Sequence, residues 1–125
     1  MISIALATAL ALSQGNPTIQ PRKNYADCLS KYYKSKQSET MEPAAFTAAM
    51  KAACASPEAA FTRALVDYDI KMGSKRAAAE ENAAFDIEGY LTNISENYAD
   101  QQAAKKPRAA EAPVATAEAS APDTR

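Results

Sequence analysis

Two residues, Cys28 and Cys54, have the type and placement to do chemistry in this chain, and three fates are open to them. Zinc asks for about four nitrogen or sulfur ligands, and a chain with 2 cysteines and no histidine lacks the usual set. Redox catalysis favours a C-x-x-C pair with one activated thiolate, whereas these thiols are far apart and fall on apolar helix faces. A structural disulfide is the remaining fate, and such bonds persist in oxidising compartments. Other reactive side chains form no constellation. The lack of histidine removes the commonest general acid/base. Glu80, Glu81, Asp86 and Glu88 cluster in sequence, but helical spacing turns Asp86 away from the face shared by Glu81 and Glu88. A solvated acidic face is expected there, not a carboxylate dyad or an oxygen cage. Asn93-Ile94-Ser95 matches the glycosylation acceptor pattern yet falls inside an expected helix, whereas acceptors usually occupy surface loops. No nucleophile and base can be paired, so no catalytic residue, metal ligand or cofactor is expected and the chain does not read as an enzyme.

The thiols can meet only if the elements around them fold back on each other. Tyr25, Cys28, Leu29, Tyr32 and Tyr33 recur at the spacing of one helix face, which predicts a helix over about residues 25–37 with Asn24 as its N-cap. Phe46, Ala49, Met50, Ala53 and Cys54 repeat that spacing in a second helix opened by Pro43. In an antiparallel hairpin, residues equidistant from Met41 face each other. This pairs Cys28 with Cys54, Tyr32 with Met50, Leu29 with Ala53 and Tyr33 with Ala49, setting large side chains against small or flexible ones.

Ser56-Pro57-Glu58 carries the start signals of a third helix, with Ser56 as N-cap and a core stripe of Phe61, Leu65, Tyr68 and Met72. Turning by about 100° per residue keeps Ala79, Ala83, Tyr90 and Ile94 in phase with Met72. One long helix from Pro57 to about Tyr98 is therefore the favoured reading, with two helices broken at Gly73 as the alternative. In the long helix, Val66, Ile70, Phe85 and Leu91 form a second apolar stripe, a candidate partner surface; with a break they would join a four-helix core. The fold expected is all-α: a disulfide-linked helical hairpin packed on one long helix or on two.

Outside this helical domain of residues 24–100 the composition changes. Residues 1–15 read as a secretory signal peptide, because an uncharged apolar run through Leu12 is followed by small residues suited to cleavage. The run is too short for a bilayer-spanning helix, which needs about 20 apolar residues, so no permanent membrane anchor is expected. Residues 16–23 read as a short linker. Residues 101–125, rich in Ala, Pro, Lys and Glu, have little large apolar surface to bury and are expected to be a disordered tail. A net charge of -1 gives no general pull toward nucleic acid.

The leader from Met1 to Leu12, together with the helical segment carrying Cys28 and Cys54, resembles small secreted helical proteins of high-GC proteobacteria. That resemblance implies a periplasmic or secreted location and carries no functional residue with it. The expected role is contact with a protein or cell-envelope partner, homo-oligomerisation included. The alternative is an apolar-ligand carrier with its ligand held between helices near Phe61, Leu65, Met72 and Tyr90.

Overall fold

A computed structural model describes residues 15–106 of the chain. The expected leader through residue 14 and the tail from residue 107 lie outside the described residues. Four helices follow one another: α1 (Ile19–Lys36), α2 (Pro43–Ala53), α3 (Ala55–Lys71) and α4 (Arg76–Lys105). The fold is all-α, and Cys28 and Cys54 are joined by a disulfide with their Cα atoms 5.9 Å apart.

Helix α1 starts at Ile19, inside the stretch read as a linker. Asn16 begins it: its Oδ1 accepts from the Thr18 backbone N–H at 2.9 Å and from the Thr18 hydroxyl at 2.8 Å. Pro21 is tolerated because first-turn N–H groups have no partner within the helix. The first turn buries no large side chain, and Ile19 is 61% exposed, so no apolar stripe advertised it. Asn24, expected as the N-cap, lies within the helix and accepts from the Gln20 amide.

Pro43 opens α2 as expected, after an extended Glu42. Cys54 does not lie inside α2. It is the one-residue hinge between α2 and α3: its N–H donates to the Met50 carbonyl, and its own carbonyl accepts from the Glu58 N–H, each at 3.0 Å. Helix α3 therefore begins at Ala55 rather than after a Ser56 cap, with Pro57 still in its first turn.

The long-helix expectation is overturned at Gly73. That residue adopts a positive φ of 104°, a backbone conformation that glycine enters without a Cβ penalty. The Ser74 N–H donates to the Asp69 carbonyl at 2.9 Å and the Gly73 N–H to the Ile70 carbonyl at 3.0 Å. These two bonds are a Schellman closure, which satisfies carbonyls that the end of α3 would otherwise leave open. The chain then turns back, so that Phe61 lies against Tyr90 and the Asn82 amide donates to Asp69 at 3.1 Å. Continuity of phase across a glycine could not reveal this closure, because both arms keep their apolar faces when they fold onto one another. Met72, assigned to the core stripe, becomes the C-cap of α3 and is 68% exposed.

The core is built around two aromatic groups. Phe46 stacks on Tyr98 with ring centroids 3.8 Å apart, flanked by Tyr32 and Tyr33. Tyr32 packs its ring against Phe46, with centroids 5.5 Å apart. Tyr25, Phe61 and Tyr90 form the second group, with centroids 5.9–6.0 Å apart. Leu29, Met50 and Cys54 are fully buried with them, and Ala79 and Ala83 are buried on α4.

Helix α4 also continues through residues assigned to the disordered tail. Its last turns grip the α1–α2 loop: the Tyr98 hydroxyl donates to the Glu39 carbonyl at 3.1 Å and accepts from the Met41 N–H, while the Gln102 amide donates to Glu39 at 2.9 Å. The Lys105 ammonium donates to the Gln37 carbonyl. These contacts order residues whose own composition offers little to bury. Lys106 is extended, as suits a residue before Pro107.

Candidate interaction surfaces

The disulfide ties α1 to the α2–α3 hinge. Cys54 is fully buried and Cys28 half-buried, at the floor of a groove that also holds Lys31 and Tyr32. Both cysteines are consumed by this bond, and none is free among the described residues.

The four residues of the candidate partner surface do not share a face. Val66 is buried in the core, and Ile70 and Leu91 pack half-buried against it. Phe85 alone stands out, 78% exposed. The break at Gly73 explains this, since it turns one helix with two apolar stripes into two helices whose stripes mostly meet inside a bundle.

Two grooves run along the flanks of α4. On the first flank, Phe85 borders a groove of about 480 Å³ between α1 and α4, lined by Ala26, Leu29, Gly89, Tyr90 and Ile94. A Cβ at Gly89 would meet nothing within 4 Å, so the backbone there is bare. On the second flank, a cleft of about 660 Å³ runs between α4 and the α2–α3 pair. Ile87 and Leu91 line it from α4, Thr47 and Lys51 from α2, and Glu58 and Thr62 from α3.

Polar contacts fix the walls of this cleft. The Thr47 hydroxyl lies 2.8 Å from the Ser95 hydroxyl and donates at 2.9 Å to the Pro43 carbonyl. The Tyr25 hydroxyl donates from the core to one carboxylate oxygen of Glu58 at 3.2 Å. Burial pushes the Tyr25 phenol well above its ordinary range, and the neighbouring Glu58 charge and this hydrogen bond add to the rise. Glu58, Glu88 and Glu96, all on the cleft, take part in none of the ion pairs among the described residues.

The acidic run expected as a solvated face is exposed at Glu80, Glu81, Asp86 and Glu88. Glu80 pairs with Arg76 at 3.7 Å, Asp86 lies on the Phe85 flank and Glu88 on both the cleft and the Phe85 side. Among the described residues no three His, Cys, Asp or Glu side chains converge as a metal site. Asn93 is exposed within α4, where its side chain accepts from the Asn97 amide. The residues expected around a carried ligand do not enclose one space: Phe61 and Tyr90 pack on each other and on Tyr25, and Met72 lies on the surface.

Sequence reasoning missed two core residues, Ile87, which also lines the cleft, and Tyr98. Ile87 and Leu91 are four residues apart with Glu88 between them, a spacing that marks a shared helix face, but the facing wall comes from α2 and α3 and is set by tertiary packing. Among the described residues, no helix is long and apolar enough to cross a membrane. The chain matches no family model, no curated protein and no solved structure.

Proposed function

We propose that the chain is a non-enzymatic exported helical protein of the periplasm or cell exterior that acts through contact with a protein or cell-envelope partner. The observation that carries this reading is Phe85, a phenyl ring 78% exposed on a rigid helix beside the bare backbone of Gly89. A large aromatic side chain next to a groove is the kind of anchor that dominates protein interfaces. Export is supported by the apolar leader and by a disulfide that a reducing cytosol would not maintain.

Light scattering and native mass measurement on the oxidised chain, combined with cross-linking in the cell envelope, test the reading. Self-association or a cross-linked partner is expected in the wild type and should be lost in Phe85→Ser, a surface change that leaves the fold intact. A strict monomer that captures no partner, or a capture that Phe85→Ser leaves unchanged, overturns it.

A further inference from the structure

The cleft on the opposite flank of α4 has a length, a floor and a charge that together specify an occupant. It follows α4 from Ala84 to Glu96, which at 1.5 Å per residue is about 18 Å, or a little over three helical turns. Its floor is apolar, with Ile87 buried and Leu91 half-buried four residues further on. Around it stand three carboxylates, Glu58 on the far wall and Glu88 and Glu96 on the ridge of α4 shared with the Phe85 side, against the single ammonium of Lys51. None of the four is engaged in an ion pair among the described residues, so the excess negative charge is uncompensated. Glu58 is anchored through one oxygen by Tyr25, which leaves its other oxygen available at the wall.

We propose that this cleft docks a basic amphipathic helix of a partner protein, its apolar residues seated on Ile87 and Leu91 and its Lys or Arg side chains reaching Glu58, Glu88 and Glu96. The trough between helices accepts an amphipathic helix by the same packing that buries helix faces inside the bundle, with anchors at i, i+3, i+4 and i+7. The carboxylates select the sign of the partner's flanking charges and reject an acidic helix of equal hydrophobicity. Lys51 marks the one point on the rim where the partner should carry an acid or no charge. The inference rests on the contact role proposed above and assigns it a second surface with a stated chemistry.

The probe is a synthetic amphipathic peptide of about four helical turns, with Leu at the anchor positions and Lys elsewhere; its counterpart carries Glu in place of Lys. Titration into the oxidised chain, followed by peptide fluorescence anisotropy and by methyl NMR, reads both affinity and location. The Lys peptide should bind saturably, shift the Ile87 and Leu91 methyl signals and weaken with added salt, while the Glu peptide should not bind. The double variant Glu88→Lys/Glu96→Lys, which changes only exposed side chains, should weaken the Lys peptide about tenfold or more. Phe85→Ser should leave this binding unchanged. Equal binding of the two peptides, indifference to charge reversal, or shifts confined to the Phe85–Gly89 flank overturns the proposal. If Phe85→Ser abolishes partner capture while the Lys peptide fails at the cleft, the contact role stands and this inference alone falls.

Discussion

The two hairpins of this bundle are closed by opposite means. Helices α1 and α2 are joined by a loop over residues 37–42 that is held from a distance, by a disulfide and by the far end of α4. Helices α3 and α4 are joined at Gly73 by backbone hydrogen bonds made entirely within the turn. The first closure depends on tertiary structure that must already be in place. The second is local and could form before the rest of the bundle assembles, because loop closure over a few residues carries little entropy. Stability should therefore be most sensitive to changes that release the first hairpin, and least to changes confined to the second.

Phe46→Ala is the harshest test of that asymmetry. Phe46 is fully buried and stacked on Tyr98, the residue whose hydroxyl pins the α1–α2 loop, so truncation opens a cavity and loosens the clamp together. Chemical denaturation should register a loss of about 3–5 kcal/mol. A loss below about 1 kcal/mol would show that the aromatic group does not hold the hairpin.

Close behind comes the double variant Cys28→Ala/Cys54→Ala. The bond closes a loop with a sequence separation of 26, for which chain-entropy arithmetic gives about 3.5 kcal/mol. That is a large share of the margin of a small domain. Urea denaturation of oxidised and reduced wild-type protein measures the same quantity without mutation. A midpoint unmoved by reduction would mean that the α4 clamp alone closes the hairpin.

The asymmetry also explains what could be read from the sequence. The stapled hairpin was legible because its evidence lies in side chains: Cys28 and Cys54 each fall on a stripe of recognisable period, and Pro43 marks a start. The aromatic cluster was less so, since the stacking of Phe46 on Tyr98 joins α2 to a distant part of α4 that the hairpin register says nothing about. The break at Gly73 was ambiguous because a glycine is tolerated within a helix and also favoured just past the end of one; only the backbone bonds of Ser74 and Gly73 decide between these. The last turn of α4 was illegible for a different reason. Gln102 and Lys105 carry no apolar signal and become ordered by donating to carbonyls of a loop far away in sequence. The cleft shares that fate, since Lys51, Glu58 and Leu91 come from three helices and only packing sets them side by side.

The local closure itself can be tested with two glycines that have equal space around them. A Cβ at Gly73 or at Gly89 would meet nothing within 4 Å, so alanine clashes at neither site. They differ in backbone: Gly73 has positive φ, and Gly89 lies within α4. Gly73→Ala should destabilise by about 1–2 kcal/mol, while Gly89→Ala should stabilise by about 0.5–1 kcal/mol through helix propensity. Thermal melts of the two variants measured side by side separate the effects. A Gly73→Ala variant as stable as the wild type would mean that the Schellman closure is dispensable and that the long-helix and broken-helix forms are close in energy.

The finest distinction concerns Tyr25, which belongs to the stapled hairpin yet packs with Phe61 and Tyr90 of the other, and so reports on the junction between them. Its phenol is raised above the ordinary tyrosine range first by burial, then by the Glu58 charge and hydrogen bond. The unfolded chain releases this proton near pH 10, whereas the folded chain retains it, so above that pH the folded state binds more protons. Stability contributed at this site is thus complete below about pH 10 and declines as pH rises further, with a limiting slope of about 1.4 kcal/mol per pH unit. Tyr25→Phe keeps the ring and removes the titration. Its stability should fall less steeply than that of the wild type on the alkaline side and run parallel to it near neutrality, offset by the lost Glu58 hydrogen bond, about 1 kcal/mol. Parallel curves through the alkaline range would show that the phenol reaches solvent and that the two aromatic groups do not seal the junction of the hairpins.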